Sequence, residues 1–281
     1  METLGAGEIR KLAEKLALRP SKSLGQNFVV DGNTCRKIVR LSQVTDHDAV
    51  LEIGPGLGSL TIALLDVARE VIAVEIDRRL AEQLPKTVAT HLPKRAAHLQ
   101  VINQDALLVQ EISPSPTALV ANLPYNVSVP VLLHVLENFP TISRGIVMVQ
   151  AEVAERLAAQ PGSKTYGVPS VKLHWWADAH VAGTISREVF WPVPRVDSLL
   201  LAFTRKAQSQ VADESLRLRT FALIDMAFAQ RRKMLRSSLG ALLGSSESAS
   251  AQLIASGIDP TARAENLTLD DFIAIARGIS R

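Results

Sequence analysis

The sequence predicts an α/β protein whose parallel sheet carries helices on both faces, followed by a small all-helical region. Short apolar segments alternate with helical patterns over the first 204 residues, and only helical patterns follow Arg205. Continuous apolar strands that alternate with helices are typical of parallel sheets buried on both faces. The length of 281 residues is sufficient for such a core and for a second, smaller domain.

Five apolar segments are predicted as consecutive strands of the sheet: residues 49–53, 70–75, 99–102, 118–121 and 145–149. Apolar residues at helical spacing follow four of these segments, at residues 59–67, 80–90, 127–137 and 151–159. Ser128 is the predicted N-cap of the third of these helices, because Pro130 suits the first helical turn. Another predicted helix, at residues 31–41, contains the single cysteine, Cys35. Residues 173–182 and 198–204 predict strands near an edge of the sheet.

A polar link at residues 207–210 separates two predicted domains. We expect residues 1–206 to form the first domain, with residues 1–22 as an N-terminal arm. Residues 207–281 are expected to form the second. Its predicted helices, separated by glycine-containing segments, lie at residues 215–239, 248–256 and 269–277.

Composition excludes several classes of protein. With 47% hydrophobic and 21% charged residues, the chain is not a disordered one. A single cysteine excludes a disulfide scaffold and a cysteine-based zinc site, and the six histidines lack metal-ligand spacing, so we expect no metal. No apolar run reaches the roughly 18–20 residues of a membrane span. The N-terminus lacks the pattern of a signal peptide, so we expect a cytoplasmic protein.

The excess positive charge lies near the C-terminus. Residues 205–281 contain eleven basic and eight acidic residues, which account for the whole formal net charge of +3. Between residues 217 and 236, Asp225 is the only acidic residue beside six basic ones. The basic residues are Arg217, Arg219, Arg231, Arg232, Lys233 and Arg236. This segment is a candidate nucleic-acid-binding element, although a solvated helix face would have a similar pattern.

The strongest local motif is a glycine-rich turn between a strand and a helix, with the sequence EIGPGLG at residues 52–58. Glycines in such a turn let the backbone approach a ligand closely. Their G-x-G-x-G spacing differs from the G-x-G-x-x-G of dinucleotide-binding loops, and Pro55 removes an amide donor that a pyrophosphate would use. The motif therefore favours a ligand without phosphates over a nicotinamide dinucleotide, and a tight turn without any ligand is the structural alternative.

Polar side chains follow the next three predicted strands. Glu75 ends the second strand, 21 residues after Gly54, while Asp105 follows the third strand and Asn122 the fourth. An acid at the position of Glu75 can accept hydrogen bonds from both ribose hydroxyls of an adenosine, and Asp105 can accept one from an adenine amino group. Each alone is more often a helix cap or a turn residue. Together they predict a binding site at the carboxyl ends of the strands.

Further motifs extend this pattern along the chain: SLGQNF at residues 23–28, NLPY at 122–125, FWPVPRVDS at 190–198, GIDP at 257–260 and RAE at 263–265. Together with the glycine-rich turn they resemble the rRNA adenine dimethyltransferase family, of the KsgA type, from the region of Ser21 to the C-terminus. The resemblance implies a class I (Rossmann-like) methyltransferase fold with S-adenosyl-L-methionine as the cofactor. Val29, where the family usually has leucine, and the segment 192–194 depart from the family pattern.

The resemblance also implies which residues contact the cofactor: Asn27, Val29, Gly54, Gly56, Glu75, Asp105 and Asn122. Asn27 and the backbone near Val29 would close over the methionine part, which Gly54 would line. Glu75 would bind the ribose, and Asp105 would bind the adenine.

The NLPY motif and Phe190 form the implied catalytic group. An adenine exocyclic amine is a poor nucleophile, because its lone pair is delocalised into the ring. The side-chain carbonyl of Asn122 and the backbone carbonyl of Leu123 can accept its two hydrogens and localise that pair, and Pro124 favours an extended Leu123. Tyr125 offers a face on which an extruded base can stack, and Phe190 would cover the other face. Catalysis would rest on positioning and electrostatics, with no strong general base.

The implied reaction is dimethylation of two adjacent adenosines near the 3′ end of 16S rRNA, with a role in small-subunit biogenesis. The implied partner is this rRNA in the subunit or its precursor, with no membrane involved, and we expect a monomer. The C-terminal basic residues would contact phosphates, and a second basic patch would consist of Arg10, Lys11, Lys15, Arg19 and Lys22. The alternatives are an Erm-type 23S rRNA methyltransferase and a non-catalytic assembly factor on the same fold. The GIDP and RAE motifs favour the small-subunit type.

Overall fold

The computed structural model describes residues 4–18, 27–207 and 213–279. Contacts divide the chain into two compact units, Met1–Ala154 with His180–Arg205 and Glu155–Ala179 with Lys206–Arg281. The second unit thus contains residues 155–179 in addition to the C-terminal region expected from the sequence. The boundary between independently folding domains stays a prediction.

The strands within the described ranges are β1 (Phe28–Val29), β2 (Ala49–Ile53), β3 (Glu70–Glu75), β4 (Leu99–Asn103), β5 (Ala118–Asn122), β6 (Arg144–Gln150), β7 (Ala177–Ile185), β8 (Phe190–Trp191) and β9 (Ser198–Arg205). Seven of them form one sheet in the order β4-β3-β2-β5-β6-β9-β7, and β1 pairs with β8 in a separate antiparallel ribbon. The neighbours from β4 to β6 are parallel, whereas β9 runs antiparallel to β6. The parallel core of the sheet and the later strands near one edge confirm the sequence-based prediction.

The central strands are apolar along their whole length because both of their faces are covered. Every residue of β2 is buried, and so is every residue of β3 after Glu70. Leu51, Val120 and Ile146 are each 0% exposed. A strand that faced water on one side would have alternating burial instead, so the burial pattern confirms helices on both faces.

Among the described residues, six α-helices begin in the first unit: α1 (Ala6–Lys15), α2 (Gly32–Ser42), α3 (Ser59–Leu65), α4 (Arg78–His91), α5 (Ser128–Asn138) and α6 (Ala151–Leu157). Asp31 caps α2 by accepting the backbone N–H of Thr34 at 2.8 Å, and Asp77 caps α4 in the same way. The predicted cap of α5 is wrong. Ser128 is the first residue of the helix, and its hydroxyl donates to the Tyr125 carbonyl at 3.4 Å.

The second unit is helical apart from the start of β7. Its helices are α7 (Val168–Leu173), α8 (Glu214–Ala229), α9 (Leu235–Ser238), α10 (Gly240–Leu243), α11 (Ser246–Ala255) and α12 (Leu269–Gly278). Trp175 and Trp176 both meet the Phe221 ring edge-on, at centroid distances of 5.9 and 5.5 Å. The hydroxyl of Tyr166 donates to the Leu267 carbonyl at 2.8 Å, whereas the buried indole N–H of Trp175 has no hydrogen-bond partner within the described structure.

Two predicted elements differ from the structure. The helix predicted over residues 215–239 ends at Ala229, because the next segment is held by distant backbone: Leu235 N–H donates to the Ala262 carbonyl at 2.8 Å. The strand predicted over residues 173–182 begins at Ala177. The N–H of Trp176 donates instead to the Leu173 carbonyl at 3.0 Å, in a turn that buries both tryptophans.

Among the described residues, no helix combines the length and the apolarity that crossing a membrane requires. The same residues contain no group of three or more His, Cys, Asp or Glu side chains placed to hold a metal ion. Cys35 is fully buried in α2, and burial raises the pKa of its thiol to about 12, so the thiolate that reacts with oxidants or metals is disfavoured.

Gly145 lies in β6 where its neighbours leave no room for a side chain. A Cβ atom there would stand 2.5 Å from the Leu119 carbonyl oxygen and 2.5 Å from the Phe203 ring. We expect Gly145→Ala to lower the free energy of unfolding by about 1–3 kcal/mol, measured by urea denaturation. Gly7→Ala is the control, because its Cβ would meet nothing within 4 Å and alanine favours a helix. An equal loss in both variants would contradict this assignment.

Candidate active site

A cavity of about 260 Å³ opens in the first unit at the carboxyl ends of β2, β3 and β5. Its wall includes the glycine-rich turn, the ends of these strands and the segment around β1. The polar lining residues are Asn27, Glu52, Ser59, Glu75, Gln104, Asp105, Asn122 and Asn126. Three of these are acids, and no Lys, Arg or His is among the described residues that line the cavity.

The glycine-rich turn has a backbone that side chains would not tolerate. Gly54, Gly56 and Gly58 have φ values of +70°, +58° and +100°, in the region that favours glycine. A Cβ on Gly56 would stand 3.0 Å from the Phe28 ring, and one on Gly58 would stand 2.8 Å from the Leu84 side chain. The turn can therefore lie close to the residues on both sides of it, and it leaves the cavity open above its backbone.

Glu75 ends β3 with its carboxylate held by two backbone amides. Its Oε2 accepts the N–H of Gly56 at 3.2 Å, and its Oε1 accepts the N–H of Asp77 at 2.9 Å. The side chain is buried, and burial raises its pKa, although these hydrogen bonds oppose the shift. Each carboxylate oxygen can accept a further hydrogen bond, which is what binding of two vicinal hydroxyls requires.

Glu52 belongs to the glycine-rich motif, but the residues around it in sequence do not indicate an unusual protonation state. The residue is 1% exposed and lines the cavity, and its Oε2 has no hydrogen-bond partner within the described structure. Burial raises its pKa to about 8, with the nearby Glu75 adding to the shift and Thr61 opposing it. Glu52 is therefore mostly protonated at neutral pH.

The NLPY segment begins where β5 ends. The side-chain Nδ2 of Asn122 donates to the Asn27 carbonyl at 3.1 Å, which leaves the side-chain oxygen as the acceptor. The N–H of Leu123 donates to the Met148 carbonyl in β6 at 3.1 Å, and the Pro124 carbonyl accepts the N–H of Val127 at 3.2 Å. The structure thus brings Asn122 and Pro124 to the cavity wall and fixes the backbone between them.

Two aromatic residues expected at the substrate base do not line the cavity. Tyr125 is half-buried, and its hydroxyl forms a hydrogen bond of 2.8 Å with the Ser198 hydroxyl. Phe190 is 2% exposed, packs in the hydrophobic core and pairs with Val29 across the β1–β8 ribbon. Stacking by Phe190 on a base stays a prediction, and it requires the ring to leave this packing.

The remaining expected cofactor contacts lie around the cavity. Asp105 lines it and caps a short 3₁₀ turn by accepting the N–H of Leu107 at 2.9 Å. The carbonyl of Val29 accepts the Ser59 hydroxyl at 2.6 Å, so this backbone oxygen already has a partner. Asn27, Gly54 and Gly56 also line the cavity. Residues 23–26 of the SLGQNF motif lie outside the described residues.

Comparison with known proteins places the chain in a family. A model of the family described as ribosomal RNA adenine dimethylase matches residues 18–280. The chain belongs to this family. A ribosomal RNA small subunit methyltransferase A from Leifsonia xyli subsp. xyli is 55% identical over 276 residues, which cover 98% of both chains. The protein of the same name from Thermobifida fusca is 55% identical over 274 residues, 97% of this chain and 95% of that protein.

Solved structures confirm the class I (Rossmann-like) methyltransferase fold of this dimethylase. A dimethyladenosine transferase from Plasmodium falciparum has a TM-score of 0.76 at 24% identity, over 88% of this chain and 95% of that chain. The 23S rRNA methyltransferase ErmE has a TM-score of 0.67 at 25% identity, over 90% of this chain and 99% of that chain. The predicted family and fold are therefore both correct.

The six predicted phosphate-binding residues of the second unit fall into three groups by burial: one is buried, two are half-buried and three are exposed. Arg217 is buried, pairs with Glu214 at 2.6 Å and lies over the rings of Trp176 and Phe221, so the structure shows it in a packing role and its contact with RNA stays a prediction. Arg219 and Arg231 are half-buried, and Arg231 pairs with Glu265 at 2.8 Å. The exposed members are Arg232, Lys233 and Arg236.

The second expected basic patch is only partly described. Arg10, Lys11 and Lys15 are exposed on α1, whereas Arg19 and Lys22 lie outside the described residues.

Protonation of Glu52 makes the stability of the dimethylase depend on pH. A folded-state pKa of about 8 exceeds the ordinary value of 4.5, so the stabilisation is full below 4.5 and is lost as the pH rises through about 8. We expect the unfolding free energy to fall between about pH 6 and pH 9, and Glu52→Gln to remove much of that fall. Urea denaturation at both pH values tests this, with the exposed Glu111→Gln as the control. A wild-type decrease that persists in Glu52→Gln would refute the assignment.

Proposed function

We propose that this dimethylase transfers methyl groups from S-adenosyl-L-methionine to the exocyclic amines of two adjacent adenosines near the 3′ end of 16S rRNA. The observation that carries the proposal is the position of the NLPY segment, which starts at Asn122 on the wall of an acidic, nucleoside-sized cavity. The relatives at 55% identity, named ribosomal RNA small subunit methyltransferase A, support the choice of the small subunit.

The residues of the cavity fit this cofactor. Gly56 leaves a space beside Phe28 that a Cβ would fill, and the two oxygens of Glu75 suit the two hydroxyls of a ribose. Asp105 lies on the same wall and can accept from an adenine amino group. Bound here, S-adenosyl-L-methionine supplies a methyl group on a positively charged sulfur. The carboxyls of Glu52 and Glu75 ionise more readily beside such a cation, which favours it over a phosphate-bearing cofactor.

The protein activates the amine by accepting its hydrogens. The side-chain oxygen of Asn122 and the carbonyl of Leu123 accept hydrogen bonds from the two N–H groups, which shifts electron density toward the nitrogen and localises its lone pair. The hydrogen bond from Asn122 to the Asn27 carbonyl holds the amide in the orientation that presents its oxygen. Tyr125 supports the base by stacking, and solvent takes the proton after transfer, so positioning carries most of the catalysis.

The partner in this proposal is 16S rRNA in the small subunit or its precursor, bound by a monomer in the cytoplasm with no metal required. A 23S rRNA substrate is the second candidate, favoured by the similarity to ErmE at a TM-score of 0.67. A non-catalytic assembly role is the third, and an intact cavity with Glu75 and Asn122 on its wall counts against it.

Methyl transfer from labelled S-adenosyl-L-methionine to undermethylated small and large subunits tests the function, with the modified nucleosides mapped. We expect dimethyladenosine at two adjacent small-subunit positions. Label in large-subunit rRNA would support the ErmE-like alternative. Binding to the subunit without any label would support an assembly role.

Asn122→Ala tests the chemical part of the proposal in the same assay. Because the variant loses one of two acceptors for the amine hydrogens, we expect turnover to fall by about 100-fold or more. The cofactor affinity, measured by calorimetry, should change by less than about tenfold. The variant loses the hydrogen bond from the Asn122 side chain to the Asn27 carbonyl, and one hydrogen bond contributes about that much. Turnover near the wild-type level would rule out this role for Asn122.

Exposed basic residues of the second unit are expected to bind RNA phosphates. For a double Arg232→Ala, Lys233→Ala variant, we expect the plot of log affinity for small-subunit RNA against log salt to lose about 1.5–2 in slope. Arg277→Ala, an exposed arginine elsewhere in the unit, is the matched control and should change the slope less. Arg217→Ala should instead lower stability, because its guanidinium packs on two aromatic rings. An unchanged slope in the double variant would exclude these contacts.

A further inference from the structure

The hydroxyl of Tyr125 has a buried partner that lies far away in sequence. Its oxygen is 2.8 Å from the hydroxyl oxygen of Ser198, which is the first residue of β9 and is 1% exposed. Tyr125 is half-buried, and burial raises the pKa of its phenol, so the group stays neutral and can donate or accept. A partly buried hydroxyl pair of this kind restrains the positions of both side chains.

Both partners are attached to β6, the strand that separates them in the sheet. The N–H of Leu123 donates to the Met148 carbonyl at 3.1 Å, and the carbonyl of Asp197 accepts the N–H of Ala151 at 2.9 Å. Ser198 itself lies opposite Gln150 in the β6–β9 register. Leu123 and Ser198 thus both contact β6 through their backbones, and Tyr125 lies two residues beyond Leu123 in the turn after β5.

The backbone end of Tyr125 is held as well. Its carbonyl accepts the hydroxyl of the buried Ser128 at 3.4 Å, and the preceding carbonyl, of Pro124, accepts the N–H of Val127. The hydrogen bond to Ser198 fixes the opposite end of the ring. Without it, the phenol would keep its backbone anchor and its ring could tilt.

We propose that Ser198 is a positioning residue that acts through Tyr125 and that matters more for the second methyl transfer than for the first. This inference rests on the proposed function, since it assumes that an adenine amine is methylated twice beside the NLPY segment. Ser198 does not touch the substrate in this proposal. Its role is to keep the Tyr125 ring where a base stacks.

The difference between the two transfers follows from counting hydrogens on the amine. In each transfer the nitrogen lone pair forms a bond to the methyl carbon, the carbon–sulfur bonding electrons stay on sulfur, and one N–H proton passes to water. The unmethylated amine offers two hydrogens to the oxygens of Asn122 and Leu123. The monomethylated amine offers one, so it loses one of the two hydrogen bonds that orient it. In the second transfer, the orientation of the amine therefore depends more on stacking of the base against Tyr125.

Single-turnover methylation of undermethylated small subunits measures the two steps separately, as rates of formation of monomethyladenosine and dimethyladenosine. We expect Ser198→Ala to lower the ratio of the second rate to the first by about three- to tenfold, the usual effect of one hydrogen bond. Monomethyladenosine should accumulate transiently, and the cofactor affinity measured by calorimetry should stay at the wild-type value. Ser198→Thr, which keeps the hydroxyl, should restore the ratio.

Two further variants keep the test decisive. Tyr125→Phe removes the same hydrogen bond from the other side, so it should lower the ratio as Ser198→Ala does, and the double variant should be no worse than either single one. Tyr125→Phe also serves as the test if Ser198→Ala does not fold. Thr204→Ala removes an exposed hydroxyl from the same strand and should leave the ratio unchanged.

An equal fall in both rates, or no rescue by Ser198→Thr, would overturn the inference and leave the proposed function intact. A wild-type protein that forms no dimethyladenosine would overturn the proposed function itself.

Discussion

Three parallel strands that end at one edge of the sheet are the constraint on which the candidate site depends. The register of β2 with β3 pairs Ile53 with Val74, so the glycine-rich turn comes directly beside Glu75. The hydrogen bond from the Gly56 N–H to Glu75 then joins the two strand ends. The carbonyl oxygen of Asn122, at the end of β5, would stand 3.7 Å from a Cβ on Gly54. Antiparallel neighbours would send successive strand ends to opposite edges and would separate these groups.

Hydrogen bonds at the opposite ends of the strands, where β2, β5 and β6 start, fix that register. Asp48 is 5% exposed and accepts hydrogen bonds from Thr45, from the Thr117 hydroxyl at 2.9 Å and from Arg144 at 2.8 Å. These residues lie at the starts of β2, β5 and β6. Burial tends to raise the pKa of Asp48, but its hydrogen bonds and Arg144 outweigh burial and hold the pKa below its ordinary value. A charged carboxylate with several hydrogen bonds thus ties the strands together at the end opposite the cavity.

Sequence predicted what depends on neighbours along the chain, and it missed what depends on distant contacts. The strands, the glycine-rich turn and the acid at Glu75 follow from local patterns, and the structure has each of them in place. The packing of Arg217 on Trp176 had no local signal, because the two residues are about 40 positions apart in sequence. The Tyr125–Ser198 contact and the protonated state of Glu52 were hidden for the same reason, since both depend on burial that only the assembled sheet creates.

The charge of the cavity connects the fold to the choice of ligand. Glu52, Glu75 and Asp105 line it, and no basic residue lies among the described residues on its wall. Two of these carboxyls have pKa values raised mainly by burial, because their charged forms are poorly solvated there. A cation that enters such a cavity stabilises the ionised carboxylates, so its binding is linked to proton release from Glu52. A phosphate would instead meet repulsion and would find no amide donor at Pro55. The buried acids of the cavity thus fit the proposed cofactor, which carries a positive charge and no phosphate.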